Sequence, residues 1–229
     1  YSLSNPDLVI IPGGVDLKDF HPLEVEENNN AIREKLNLKK DVPLILTVRR
    51  LEERMGLENL ILAVEILLKK NPARIFQLAM VGKGSLKQRL EELIAEKKLS
   101  DTVHLTGLVP KKTLPLYFRV ADLFVLPTTA IEGFGLVTVE AFASGLPVMG
   151  TPVGATKEIL AQVDQSLIFE GTSPESLAKG MEHFLDNPEH YSQLKLKCRE
   201  TAEKNYSWEK VTDQTEKEFI KNTFGNSPS

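Results

Sequence analysis

Cysteine is almost missing from this chain: Cys198 stands alone in 229 residues, so no internal disulfide can form. That usage fits a reducing compartment. Long apolar runs are missing too. None approaches the roughly 18 residues of a membrane-crossing helix, and no signal-peptide pattern opens the chain. Positive charge is not in excess: 28 Lys and Arg face 32 Asp and Glu, a formal net charge of −4. This argues against a general role on nucleic acid or a membrane surface. The four histidines are scattered and no Cys/His cluster marks a metal site. No Gly-x-Gly-x-x-Gly follows the first strand pattern, which weighs against a dinucleotide dehydrogenase. Without Gly-x-x-x-x-Gly-Lys-Ser/Thr, a P-loop NTPase is disfavoured as well. The chain begins at Tyr1 rather than Met, and the expectation is an excised piece of a longer protein. What is present is ordinary for a globular protein: 41% hydrophobic and 26% charged residues, in a length that suits one large domain or two small ones.

The informative stretch runs from Pro127 to Ile159. It follows an apolar run, Leu123 to Leu126, that reads as a buried strand. A small-residue loop carries Glu132, Gly133, Phe134 and Gly135. From Leu136 the spacing of Leu136, Val139, Phe142 and Ala143 predicts a helix, with Gly145 just past its end. Pro147 to Met149 reads as another buried strand, and Gly150 to Ala155 as a second loop. This is one βαβ unit. A glycine-rich loop at a helix N-terminus presents unpaired N–H groups at the positive end of the helix dipole, and so suits phosphate. Glu132 in the loop and Glu140 in the helix would repel phosphate if they faced it. They make more sense as acceptors for hydroxyls on either side of it. A ligand with hydroxyls, then phosphate, then hydroxyls is a sugar nucleotide.

Glu132-Gly-Phe-Gly, Glu140 after seven intervening residues, and then Ala-Phe-Ala-Ser-Gly-Leu-Pro-Val resemble the Glu-x7-Glu signature of family 4 retaining glycosyltransferases of the GT-B fold. The likeness spreads from about Leu8 to Ile159. Gly13-Gly14-Val15-Asp16 resembles the family's Pro-Asn-Gly-Val-Asp, with Gly13 where Asn is usual; read on its own it is a turn. PLILTV, Pro43 to Val48, is a buried strand followed by Arg49, Arg50, Leu51 and, further on, Arg54, Met55, Gly56. Arginines at the C-terminal end of a parallel strand lie where open α/β sheets bind ligands, and Arg grips phosphate bidentately. The family has Gly-Arg-Leu here and then Lys-Gly, the Arg and Lys holding the donor diphosphate. Arg50 matches the Arg. Met55 takes the place of the Lys, and Arg54 is the candidate to supply that charge. Gly82-Lys83-Gly84 resembles the family's Val-Gly-x-Gly near the donor. Gly107 to Pro110 resembles the turn whose backbone meets the base, which makes Val109 a candidate.

Around these motifs the reading is of about six strands alternating with helices. Further strands are expected at Asp7 to Ile11, Arg74 to Val81, Val103 to Thr106 and Ser166 to Phe169. Helices are expected at Ala31 to Leu38, Leu57 to Lys69, Leu86 to Lys98, Leu114 to Ala121, Pro174 to Phe184, Pro188 to Asn205 and Ser207 to Asn222. The fold class is α/β: a Rossmann-like open, mostly parallel sheet with helices on both faces, the C-terminal half of a GT-B fold. Residues 1–229 are expected to form one donor-binding domain, 206–229 being its terminal helix and tail and Trp208 a packing anchor.

The resemblance implies transfer of a sugar from a nucleotide-diphosphate donor to a glycan, lipid or small-molecule acceptor, with retention at the anomeric carbon and without metal or other cofactor. Glu132 would hold donor-sugar hydroxyls and Glu140 the ribose. Arg50, Arg54 and the N–H groups of Gly135 and Leu136 would take up charge on the departing diphosphate. The acceptor would bind an N-terminal domain that this chain does not contain, so the chain alone would transfer nothing. Partners are the nucleotide sugar and the acceptor, not nucleic acid. The expected location is cytoplasmic, with the inner face of the cell membrane an option for the full-length protein. A non-catalytic nucleotide-binding module of the same fold, or a nucleotide-sugar epimerase, are the alternatives.

Overall fold

The computed structural model describes residues 9–224. Five strands, β1 (Leu44–Val48), β2 (Gln77–Val81), β3 (Val103–Gly107), β4 (Leu123–Leu126) and β5 (Val148–Gly150), form one sheet in the order β3-β2-β1-β4-β5. Every pairing is parallel: Ile45 stands opposite both Leu78 and Leu123, and Val125 opposite Met149. Parallel strands covered on both faces need apolar side chains on both, which is why LIL of β1 and LFVL of β4 read as unbroken runs. Leu44, Ile45, Leu46 and all four residues of β4 are fully buried.

Nine helices are described: α1 (Asn29–Lys35), α2 (Leu57–Lys70), α3 (Lys87–Glu96), α4 (Leu114–Val120), α5 (Leu136–Ala143), α6 (Thr156–Ala161), α7 (Pro174–Asp186), α8 (Pro188–Asn205) and α9 (Trp208–Phe224). From β1 the chain winds outward through β2 to β3. It then crosses to the far side of β1 and winds outward again through β4 to β5. Right-handed crossovers therefore place α2 and α3 on one face and α4 and α5 on the other. α7 completes the first layer by packing on α2, and α8 the second by packing on α5. The winding reverses between β1 and β4, so the loops leaving these neighbouring strands part to opposite faces and open a crevice between them.

Several expectations are corrected. The strand over Ser166 to Phe169 is a 3-10 turn, Gln165–Leu167, followed by a single parallel bridge between Ile168 and Gly150. The Asp164 carboxylate accepts a hydrogen bond from Ser166 N at 2.8 Å, a local partner that diverts the backbone from the ladder. Of the strand expected from Asp7 to Ile11, Asp7 and Leu8 lie outside the described residues. Val9 to Ile11 form no ladder, and Ile10 is 84% exposed. Val15 instead makes one isolated bridge, to Ser207. Helix α6 was not anticipated: six residues are too few for an apolar period to stand out. α1 begins two residues earlier than expected, because the Asn28 side chain accepts from Ala31 N and caps it.

Candidate functional site

The loop after β1 and the loop after β4 are stitched together at the crevice. Thr129 N donates to Arg54 O at 2.9 Å, and from the loop after β5 Thr151 Oγ1 donates to Thr128 O at 2.5 Å. Gly56, at φ +69°, turns the first loop into α2. A Cβ at Gly56 would lie 1.9 Å from Pro127 O, so only glycine allows the two loops to touch. Gly154, at φ +58°, brings the loop after β5 equally close, its notional Cβ falling 2.0 Å from Glu132 O. The β1 loop thus lies against Pro127, and the β5 loop lies against the Glu132 backbone.

Between these loops lies a cleft of about 690 Å³. One wall carries Arg49, Arg50, Arg54 and Met55 from the β1 loop, with Gly82 and Lys83 from the turn after β2. Leu108, Val109 and Leu114 form an apolar end. Glu132, Phe134, Gly135, Leu136 and Val137 close the other wall. Gly135 is the N-cap of α5, no side chain caps that helix, and its first residues, Leu136 and Val137, line the cleft. Gly13 packs against Leu136 and Phe134 at the rim, and Trp208, expected as a packing anchor, touches Gly14 but is 56% exposed.

Of the expected site residues, Arg50, Arg54, Gly82, Val109, Glu132, Phe134, Gly135 and Leu136 all line this one cleft. Gly133 and Glu140 do not line it. Gly133 is exposed in the loop before the wall. Glu140 follows Leu136 and Val137 by one helical turn, on the same face, and an α-helical side chain leans back toward the N-terminus and so toward the cleft. Its carboxylate is half-buried and has no hydrogen bond or ion pair among the described residues. Burial pushes its pKa up to about 7, opposed by the charge of Lys111.

The cations differ in their commitments. Arg50 is exposed and, like Lys83, makes no hydrogen bond or ion pair among the described residues. Arg54 Nη1 donates to Ile131 O at 2.6 Å and so holds the Glu132 loop. Arg49 is the group that sequence reasoning passed over. Its Nη2 donates to Glu132 Oε2 at 2.5 Å and to Thr128 Oγ1 at 2.9 Å, and lies 2.9 Å from Met55 Sδ. The ion-paired side chains are only 7% and 8% exposed. Thr128 Oγ1 donates to the same Glu132 oxygen at 2.8 Å. Burial lowers the guanidinium pKa and Glu132 raises it; an arginine stays cationic under this balance. Arg49 and Arg50 follow the end of β1 and both line the cleft, but only Arg49 pairs with Glu132. The sequence does not show which of the two meets the carboxylate.

A second cavity, about 560 Å³, lies at the opposite, N-terminal end of the strands and includes Arg33 and Asp122. These two are structural. Arg33 Nη2 donates to Asp122 at 2.9 Å and to Val120 O at 2.7 Å, and Leu44 N donates to the same Asp122 oxygen at 2.9 Å.

An open parallel sheet with a cationic cleft at its winding reversal defines a Rossmann-like ligand-binding domain of GT-B type. The chain belongs to the glycosyl transferases group 1 family, whose model matches residues 28–204. It is 29% identical over 212 residues to a GDP-mannose-dependent monoacylated alpha-(1-6)-phosphatidylinositol monomannoside mannosyltransferase of Corynebacterium glutamicum, covering 90% of this chain and 54% of that protein. Among solved structures it is similar to sucrose-phosphate synthase from Thermosynechococcus elongatus. That match has a TM-score of 0.79 and 28% identity, and covers 95% of this chain and 53% of the other. The C-terminal domain of a glycosyl transferase group 1 family protein from Francisella tularensis shares the fold at TM-score 0.69 and 21% identity, with 85% of this chain and 100% of that domain covered. The chain spans about half the length of the curated relatives it matches.

Proposed function

We propose that this chain is the donor-binding, C-terminal domain of a family 4 retaining glycosyltransferase that moves a sugar from a nucleotide-diphosphate donor to an acceptor. The observation that carries the reading is one cleft in which an uncommitted arginine, a helix N-terminus and a fixed carboxylate stand together. Arg50 and the N–H groups of Gly135 and Leu136 grip the diphosphate. They balance the charge that grows on it as the glycosidic bond breaks, so they act on the transition state more than on the ground state. Glu132 uses Oε2 to meet Arg49 and Thr128; its Oε1 is the acceptor for donor-sugar hydroxyls. Glu140 accepts from the ribose, and the backbone at Val109 borders the base beside the apolar end. Retention follows from attack on the face the diphosphate leaves, with a leaving-group oxygen taking the acceptor's proton.

In this reading the acceptor is a glycan or a lipid bound by an N-terminal domain outside this chain, and the chain alone transfers nothing. The full coverage of the Francisella tularensis C-terminal domain supports the domain assignment. The mannosyltransferase relative makes GDP-mannose the first donor to test. Calorimetric titration with GDP-mannose, UDP-glucose and ADP-glucose tests the reading. One of them should bind and should lose affinity in Arg50→Ala. Absence of binding by all three, or binding indifferent to Arg50, contradicts it.

A further inference from the structure

The contacts around Glu132 describe a single cation position that two backbone sites can reach. Arg49 arrives from the end of β1. Met55 arrives from the 3-10 turn Glu53–Met55 that follows, is 4% exposed, and holds its Sδ 2.9 Å from the guanidinium that pairs with Glu132. A lysine at position 55 is longer than methionine and would carry its ammonium past the present Sδ position, into the space where Nη2 meets Oε2. Two cations there would crowd each other in a buried site, and none would leave Glu132 unpaired, so the geometry admits one. Arg54 Nη1 is engaged with Ile131 O, and no hydrogen bond or ion pair joins Arg54 to Glu132 among the described residues.

We infer that Arg49 is a positioning residue that does from position 49 what a lysine could do from position 55: it clamps Oε2 of Glu132 and leaves Oε1 for the donor. The consequence for the donor rests on the reading under Proposed function; the clamp itself does not. Arg49→Met and Met55→Lys, singly and combined, test both. Without ligand, Arg49→Met should lower the thermal midpoint by about 10 °C, the scale of a broken buried ion pair in a chain of this size. Met55→Lys alone should also lower it. The exchange Arg49→Met with Met55→Lys should regain at least half of the first loss, a rescue that loss of packing does not produce. An exchange no more stable than Arg49→Met overturns the inference.

Titration with GDP-mannose, UDP-glucose and ADP-glucose is the second arm. Whichever binds the unaltered protein should bind Arg49→Met at least tenfold more weakly and regain affinity in the exchange; equal affinity in Arg49→Met overturns the positioning role. If none binds the unaltered protein, the proposed function fails while the ligand-free rescue still decides the clamp.

Discussion

Replacing Glu140 by glutamine should stabilise the protein at pH 8 and leave its stability unchanged near pH 4. Burial raises the Glu140 carboxyl from 4.5 to about 7 in the folded chain. In the unfolded chain it titrates near its ordinary value. Below about pH 4.5 both states hold the proton, and the side chain carries no ionic penalty. Between about 4.5 and 7 the unfolded state loses the proton first, so folding becomes progressively less favourable; above 7 the penalty is complete. The full shift corresponds to about 3 kcal/mol, and partial solvent contact reduces this to about 1–2 kcal/mol. Glutamine keeps the shape and does not ionise. Urea unfolding of both proteins at intervals from pH 4 to 8.5 should show curves that coincide at the acid end and part by that amount at the alkaline end. A constant separation, or a wild type that gains on the variant as pH rises, refutes the argument. If a ribose donates hydrogen bonds to this carboxylate, binding will also depress its pKa. Titrations near pH 7 in buffers of different ionisation enthalpy should then register release of up to about half a proton.

Other substitutions separate stability from binding. Arg50→Ala removes an exposed, uncommitted side chain, so stability should stay within about 0.5 kcal/mol while donor affinity, read by calorimetry, falls about 10- to 100-fold. Glu132→Ala should abolish donor-sugar recognition and also cost about 3–5 kcal/mol in chemical denaturation, because Arg49 is left buried without its partner. Gly154→Ala sets a methyl against Glu132 O at a positive φ. A loss of more than about 1 kcal/mol in the same assay is expected, together with weaker donor binding.

The ladder of the fold was legible because each strand and helix announces itself locally. Unbroken β-branched and aliphatic runs mark β1 and β4, and apolar spacing marks α2 and α3. The conspicuous acids, glycines and Arg50 could likewise be named from residue order, and most of them line one cleft. The fate of Ser166 to Phe169 could not, since an Asp164 carboxylate outcompeted the sheet for a backbone amide. Nor could the partner of Glu132. Arg49 and Arg50 are identical neighbours, and only the tertiary structure, with β4 beside β1, pairs one with the carboxylate and leaves the other uncommitted. Residue order determined which chemical groups this protein has at the ends of its strands. Tertiary structure decided which of them are locked in pairs and which remain uncommitted, because pairing in a parallel sheet is settled by crossovers that join residues about eighty positions apart.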